Sequence, residues 1–274
     1  MKKTTILAIV CVMAVGNVAL ADTIGGIDID FVTIGNAGNA ADTTGYGAVD
    51  YAYRIGKYEV TAAQWQTINT AAGIGDSGYW SGNQPVGEIS WYDAAQFCNY
   101  LTSGNKYSGA YKFDLSGNFQ SIDRVSSIST YGTTYVIPTE DEWYKAAYFK
   151  PSASGYSLYA NGTSAAPVAG VNSNYAWAIG SPWTITNGTP EQNGTFDMMG
   201  NVWEWNETLI YGSYRGIRGG SCPDFASFLA SSTRIISDPG LEDSSVGFRV
   251  ASVPEPATLL LLGLGGLVLR RNKK

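Results

Sequence analysis

The two ends of the chain constrain its fold most, because each carries an apolar segment and together they leave only residues 22–252 for a folded domain. A body of that length can bury one sizeable core, so we expect a single domain. The chain has 33 glycines and 18 tyrosines, with only 15% charged residues. Such a composition is typical of a globular, loop-rich protein rather than a disordered one.

The N-terminal segment has the three parts of a secretory signal peptide. Two lysines open the chain, Ile6–Val18 is mostly apolar, and the small-residue sequence that ends at Ala21 offers a cleavage position. We therefore predict that residues 1–21 are removed on export and that the mature chain begins at Asp22. A retained membrane anchor is the alternative, but this apolar run is shorter than the roughly 20 residues that a span needs.

The C-terminal segment also has three parts in a fixed order. Pro-Glu-Pro at 254–256 precedes an uncharged run, Thr258–Leu269, and a basic end at 270–274, which the positive-inside rule would hold in the cytoplasm. This order resembles the PEP-CTERM sorting signal of biofilm-forming bacteria. The resemblance implies that residues 253–274 contact the membrane transiently and that an exosortase-type protease removes them. A plain anchor is the alternative, and both interpretations place the body outside the cytoplasm, in the cell envelope or the extracellular space.

The charge of the body limits its partners. Between residues 22 and 252, acidic residues outnumber basic ones two to one. Such a surface repels nucleic acid and anionic lipid, so we expect no nucleic-acid partner. It suits a cation-binding or carbohydrate-facing protein, although solubility alone would also explain it.

Two absences restrict the chemistry. The chain has no histidine, which excludes Ser-His-Asp and Cys-His catalysis and every His-ligated zinc or iron site. Of its three cysteines, Cys11 lies in the signal peptide, so the domain keeps Cys98 and Cys222. An exported domain can join such a pair in a disulfide, but the sequence does not decide whether the two are close.

Local signals predict an α+β domain. Capping boxes predict helices that begin after Thr61, Ser90 and Thr139. Short strands are expected at Tyr53–Tyr58, Tyr135–Ile137 and Phe248–Ala251. Two long segments rich in glycine, serine and asparagine, Ser103–Tyr131 and Ser152–Thr195, are expected to be irregular. The predicted fold has few helices, small twisted sheets and long ordered loops.

Several motifs occur in a characteristic order. They are Ile55–Thr61, Pro85–Ala94, Ile137–Trp143, Asp197–Trp205, Arg218–Ser221 and Gly247–Arg249. Together they resemble the formylglycine-generating enzyme family, also called sulfatase-modifying factor domains, over about Asp30 to Ser252. The resemblance implies an elaborated C-type-lectin-like α+β fold.

The same resemblance implies a calcium site in the segment Asp197–Glu204. The family binds calcium with an Asn-x-x-Gly-Asn-x-Trp-Glu segment. Here the matching ligands are the side chains of Asp197 and Glu204 and the carbonyl oxygens of Gly200 and Val202. Asp197 replaces an amide of the family pattern, and a carboxylate is also a hard oxygen ligand that calcium prefers.

A second family calcium corresponds to Asn174 and Tyr175, and its other ligands have no match in this sequence. The alternative for the first site is that its aspartate only forms a turn and that Glu204 pairs with a cation. Trp203 and Trp205 alternate with Glu204, so we expect the rings on the core side and the carboxylate on the opposite side, open to a ligand.

Catalysis in the family depends on copper. Its enzymes oxidise a substrate cysteine to formylglycine with a copper ion held by a Cys-x4-Cys pair shortly after Arg-Gly-Gly-Ser. Here Cys222 directly follows Ser221, too early by about two positions, and no second cysteine follows. Cys98 falls on the apolar face of a predicted helix and is expected in the core. Because soft Cu(I) needs two thiolates, we expect no copper and assign no catalytic residue. Without histidine, iron-dependent sulfoxide synthase chemistry is excluded as well.

Two functions remain open from the sequence. The first is an exported, non-catalytic binding or matrix domain, stabilised by calcium and associated with a surface or biofilm. Its ligand would be an extracellular polysaccharide or protein, held by the aromatic loops Tyr148–Tyr159 and Trp177–Trp183. The second is a formylglycine-generating-type oxidoreductase that acts through Cys222 on a cysteine of a partner protein. The missing thiolate pair favours the first.

Overall fold

The computed structural model describes residues 20–153 and 155–253. The predicted signal peptide, up to residue 19, and the sorting segment after residue 253 lie outside the described residues, so the domain boundaries stay predictions. No helix in the described part combines the length and the apolar character needed to cross a membrane. The described residues form an α+β fold, as predicted.

Four α-helices and one short 3₁₀ turn occur in the described residues. They are α1 (Ala62–Ala72), α2 (Trp91–Ser103), α3 (Arg124–Tyr131), α4 (Glu140–Tyr148) and the turn Ala226–Leu229. The three predicted capping boxes are confirmed, because each N-cap oxygen accepts from the N3 amide and each N3 side chain accepts from the N-cap amide. Helix α3 lies in a segment that we expected to be irregular. It has only eight residues, and Asp123 caps it without a capping box.

Thirteen short strands accompany the helices in the described residues. They are β1 (Leu20–Ile24), β2 (Ile27–Ile34), β3 (Tyr53–Gly56), β4 (Tyr111–Phe113), β5 (Phe119–Ile122), β6 (Thr134–Val136), β7 (Phe149–Lys150), β8 (Gly155–Tyr156), β9 (Trp203–Leu209), β10 (Arg215–Arg218), β11 (Ile235–Ser237), β12 (Val246–Gly247) and β13 (Ala251–Val253). One sheet has the order β1-β2-β3-β13-β6 and a second has the order β11-β10-β9-β12. Strands β4 and β5 form one hairpin, and β7 and β8 form another.

The end of the domain connects the two large sheets. We expected one strand at Phe248–Ala251, and that prediction is wrong. Strand β12 pairs with β9 in the second sheet, whereas β13 lies between β3 and β6 in the first. The residues between β12 and β13 cross from one sheet to the other, and the carbonyls of Phe248 and Val250 accept from Val60 and Gly56 on the way.

Aromatic side chains fill the core where the helices meet the sheets. The rings of Trp65 on α1 and Phe97 on α2 stack in parallel, with their centroids 5.5 Å apart. Both rings lie nearly perpendicular to the ring of Phe248. Cys98 is fully buried beside them, which confirms its predicted place in the core. Trp143 on α4 and Trp205 on β9 are also fully buried.

Candidate functional site

The loop that enters β9 brings the two predicted calcium segments together. Gly200 has a φ of +82°, and Asn201 has a φ of +64°. The Asn201 amide donates to the Asn174 carbonyl at 2.8 Å, and the Asn174 Nδ2 donates to Asn201 Oδ1 at 3.2 Å. A Cβ at position 200 would lie only 2.3 Å from the Asn174 carbonyl oxygen, so this approach requires glycine.

Two buried oxygens in this region have no hydrogen-bond partner among the described residues. Asp197 accepts from Trp183 Nε1 at 2.8 Å through Oδ1, but its Oδ2 is unpartnered, and so is Asn174 Oδ1. Burial raises the pKa of Asp197 well above its usual range, although the bond from Trp183 acts in the opposite direction. Unpartnered oxygens of this kind are acceptors for a hard cation. The hydroxyl of Tyr175, by contrast, donates to the Pro167 carbonyl.

Glu204 has no free oxygen. Arg249 donates to both carboxylate oxygens at 2.6 Å, and Trp143 Nε1 donates to Oε2 at 2.8 Å. The prediction that the carboxylate faces an open side is wrong, because Trp203, Glu204 and Trp205 are all buried. Arg249 reaches Glu204 from the crossing between β12 and β13. The structure therefore contains the ion pair of the alternative interpretation, in which Glu204 pairs with a cation.

Two further buried acids adjoin this region, and sequence reasoning assigned neither to the site. Glu59 accepts from Asn201 Nδ2 at 2.6 Å and from the Val202 amide at 3.3 Å, and its burial raises its pKa. Burial also raises the pKa of Glu191, to about 7. In the described residues, no group of three or more Asp, Glu or Cys side chains lies close enough together to hold a metal ion. A cation here would depend on amide and carbonyl oxygens as well.

Cys222 is buried. In the part of the chain that the structure describes, neither it nor Cys98 forms a disulfide. Its amide donates to the Asn201 carbonyl at 2.9 Å. Burial and the charge of Asp224 raise the pKa of the thiol to about 11. Because the thiolate is the nucleophile and the metal ligand, this environment suits neither role at neutral pH.

The segment opposite Cys222 presents an exposed tryptophan on a strained backbone. Ala176 and Trp177 have φ values of +55° and +56°. Their amides donate at 2.8 Å to the carbonyls of Asp224 and Cys222. The Trp177 side chain is 61% exposed, whereas Trp183, at the other end of this predicted loop, is buried.

Other exposed apolar side chains lie on these two segments and on the turn at Gly170. Phe225 follows Asp224 directly and is 71% exposed. The turn at Gly170 lies against Ile179, since a Cβ on the glycine would be 3.5 Å from Ile179 Cδ1. We call this region the Trp177 surface. It comprises Val168, Val171, Trp177, Ile179 and Phe225, each more than half exposed.

The sequence matches the sulfatase-modifying factor enzyme 1-like domain over residues 32–253. The chain belongs to this family. Residues 252–274 match the PEP-CTERM protein-sorting motif, which supports export, envelope association and processing by an exosortase. The sulfatase-modifying factor domain and the sorting signal identified from the sequence are both confirmed.

Solved structures share the fold of this sulfatase-modifying factor domain. Treponema denticola variable protein 1 has a TM-score of 0.63 at 24% identity, over 88% of this chain and 100% of that one. CarF has a TM-score of 0.59 at 24% identity, over 83% and 99%. PvdO from Pseudomonas aeruginosa has a TM-score of 0.56 at 16% identity, over 82% and 94%. These similarities confirm the C-type-lectin-like α+β fold.

One curated relative of the sulfatase-modifying factor domain is chaperone protein LppX from Paenibacillus barcinonensis. It is 28% identical over 174 residues, or 56% of this chain. The chain spans 61% of the length of that relative.

The other predicted aromatic loop lines a cleft of the sulfatase-modifying factor domain. Phe149, Pro151 and Gly155–Leu158 form one wall, and residues 36–44 form the other. Tyr148 and Tyr159, at the ends of the predicted loop, are buried. We call this region the polar cleft.

Proposed function

We propose that this sulfatase-modifying factor domain is an exported, non-catalytic binding domain that holds an apolar protein segment at the Trp177 surface. The observation that carries the proposal is the pair of consecutive left-handed residues, Ala176 and Trp177. Such a conformation costs about 1–3 kcal/mol per residue and persists where the surrounding structure enforces it, often at binding sites. Here the second of the two residues is a largely exposed tryptophan.

The side chains of the Trp177 surface favour a protein ligand over a polysaccharide. Val168, Val171 and Ile179 are aliphatic and more than half exposed. They offer no hydrogen bonds to sugar hydroxyls, which would lose their water on contact. Exposed apolar patches with aromatic residues are typical of protein interfaces. The name of the curated relative, a chaperone protein, agrees with a protein ligand.

The alternative is a formylglycine-generating-type oxidoreductase. Its support would have to come from Cys222, and that thiol is buried with a raised pKa. The other domain cysteine, Cys98, lies in the core on α2. Incubation with copper, oxygen and a cysteine peptide, followed by mass spectrometry, separates the two functions. Conversion of the peptide cysteine to an aldehyde, lost in Cys222→Ala, would favour the oxidoreductase.

Trp177→Ala is expected to weaken protein binding by about 30-fold, since a central interface tryptophan contributes 2 kcal/mol or more. The probe is a permanently unfolded protein, reduced and carboxymethylated α-lactalbumin, measured by titration calorimetry. Because Trp177 is largely exposed, the melting temperature should hardly change. Leu115→Ala is the matched control, since Leu115 is a fully exposed apolar residue on the β4–β5 hairpin. Equal affinities for Trp177→Ala and the wild type would contradict the proposal.

We further propose that calcium stabilises the domain at the junction of the two predicted sites. Asp197 Oδ2 and Asn174 Oδ1 support this role, because both are buried acceptors without a partner in the described residues. Glu204 would have to release Arg249 before it could bind the ion. The ion would serve stability alone, by offsetting the burial of negative charge.

Calcium is expected to raise the melting temperature, because an ion that binds only the folded state adds about 2.7 kcal/mol at 100 times its Kd. Asp197→Ala should abolish most of this response, because it removes the carboxylate ligand. In chelator, the same variant should lose little stability beyond the bond from Trp183, since the carboxyl that it removes is buried with a raised pKa. Asp76→Ala, at an exposed site, is the control. Identical melting curves in calcium and in chelator would reject the site.

A further inference from the structure

The polar cleft is large enough for several linked sugar units. Its volume is about 1070 Å³, and it opens to solvent between the loop of residues 36–44 and the wall formed by Phe149, Pro151 and Gly155–Leu158. Ser231 and Ser232 also line it. Pockets of roughly 300–1,000 Å³ commonly hold small-molecule ligands, and the volume of the cleft lies just above that range.

Tyr156 joins the two walls. Its hydroxyl accepts from Asn39 Nδ2 at 2.7 Å and donates to the Gly47 carbonyl at 2.8 Å. Its ring packs against Phe149 at 5.3 Å and Tyr144 at 5.6 Å. A Cβ at Gly47 would lie 2.5 Å from the Tyr156 hydroxyl, so only glycine permits this contact. These contacts fasten the wall that carries Tyr156 to the loop that carries Asn39.

A buried lysine holds the loop wall at both ends. Lys145 on α4 is fully buried and forms no ion pair among the described residues. Its ammonium donates to the carbonyls of Asn36 at 3.0 Å and Val49 at 3.5 Å, before and after the loop. Burying a cation without a counter-charge is costly. The contact that it makes with the two ends of the loop identifies Lys145 as a positioning residue for the cleft.

The lining of the cleft combines polar and apolar groups and carries no cation among the described residues. Asn36, Thr43 and Ser232 line it, and Pro151 and Leu158 add apolar patches. Asp42 is the one charged residue in the described lining. Its carboxylate already accepts from the Thr44 amide and from the Tyr144 hydroxyl. A phosphate would therefore find no opposite charge, whereas sugar hydroxyls can exchange hydrogen bonds with hydroxyl and amide groups.

We propose that the polar cleft binds a neutral oligosaccharide segment of an extracellular polysaccharide and that Lys145 positions the wall that contacts it. This site is separate from the Trp177 surface and does not depend on the function proposed for that surface. With both sites occupied, one domain would link a protein to a polysaccharide. Sugar binding therefore adds a matrix role to the protein-binding role.

The test is a titration of the protein, expressed from the full chain and processed by the host. The titrants are three neutral pentasaccharides: cellopentaose, laminaripentaose and maltopentaose. Tri-galacturonic acid is the acidic comparison. Binding of at least one neutral pentasaccharide is expected. Thr43→Trp should weaken it tenfold or more, because an exposed position at the cleft then carries a bulky ring. Trp177→Ala should bind the sugar normally, which separates this proposal from the protein-binding one.

Lys145→Met tests the positioning role through the pH profile. Burial lowers the pKa of Lys145 to about 8, and Asp50 is the charged group that acts in the opposite direction. The wild-type affinity should therefore fall severalfold between pH 7 and about 9, as the charged hydrogen bonds to the loop weaken. Burial raises the pKa of Tyr156 to about 12, so its hydroxyl stays protonated in this range. Lys145→Met should bind weakly and show no such fall.

Several results would overturn the proposal. They are no binding of any neutral pentasaccharide at millimolar concentration, tighter binding of tri-galacturonic acid, and full affinity in Thr43→Trp. If Lys145→Met fails to fold, the wild-type pH profile and Thr43→Trp still decide the question. A flat wild-type profile would remove the positioning role from Lys145.

Discussion

Glu204→Ala is expected to lower the free energy of unfolding by about 3–5 kcal/mol, because it leaves the fully buried Arg249 without its counter-charge. Arg249 links the two large sheets, since it also donates to the carbonyls of Gly56 and Phe196. A domain of ordinary stability has about 5–15 kcal/mol in total, so the variant should be marginal at 37 °C. Urea unfolding, followed by tryptophan fluorescence, measures the loss.

Arg54→Gln is the matched control for this experiment. Arg54 pairs with Asp22 at 2.6 Å, but both side chains are about one quarter exposed. Solvent screens such a pair, so its loss should cost about 1 kcal/mol or less. If Glu204→Ala costs no more than Arg54→Gln, Glu204 and Arg249 do not form the pair. Glu204 would then be free to bind calcium, as the family resemblance implies.

Gly200→Ala is expected to cost about 2–4 kcal/mol, because it combines left-handed backbone strain with a steric clash. The φ of +82° penalises any side chain. The added Cβ would also lie 2.3 Å from the Asn174 carbonyl oxygen and 2.8 Å from the Ser173 hydroxyl oxygen. The backbone bond between Asn174 and Asn201 should therefore break, and the calcium response should fall with it. Thermal unfolding with and without calcium measures both effects.

Gly180→Ala separates the strain from the clash. Gly180 has a φ of +84°, close to that of Gly200, but nothing lies within 4 Å of its added Cβ. The control should lose only about 1 kcal/mol, from backbone strain alone, and should keep its calcium response. Equal losses at the two positions would show that residue 200 does not pack tightly against Asn174.

Much of the fold was predictable because its signals are local or ordered along the chain. Each capping box needs only four consecutive residues, and those at Thr61, Ser90 and Thr139 are all present. The order of the family motifs was sufficient for the fold class. Helix α3 and the β4–β5 hairpin were missed, because short elements in a polar segment carry little periodicity.

The candidate sites were predictable only in part. The sequence predicted Asp197 and Asn174 as ligands of two separate sites. In the structure, Trp183 donates to Asp197 and to Asn201, and Asn201 also accepts from Asn174. The sequence assigned no role to Glu59. This residue accepts hydrogen bonds from Asn201 and Val202, which lie 142 and 143 residues later in the chain. Of the two aromatic loops proposed as binding surfaces, one exposes Trp177 and the other lines the polar cleft.

The sequence by itself determined the features that depend on composition or on near neighbours. These are the C-terminal sorting motif, the lack of histidine, the single cysteine after Arg-Gly-Gly-Ser, and the helix starts. Tertiary structure alone decided which groups face each other over long separations. Glu204 meets Arg249 45 residues later, and Lys145 reaches the Asn36 carbonyl 109 residues earlier. Burial decides these pairings. A charged group that has lost its water must form hydrogen bonds, and its partners are the groups that the packed chain places beside it.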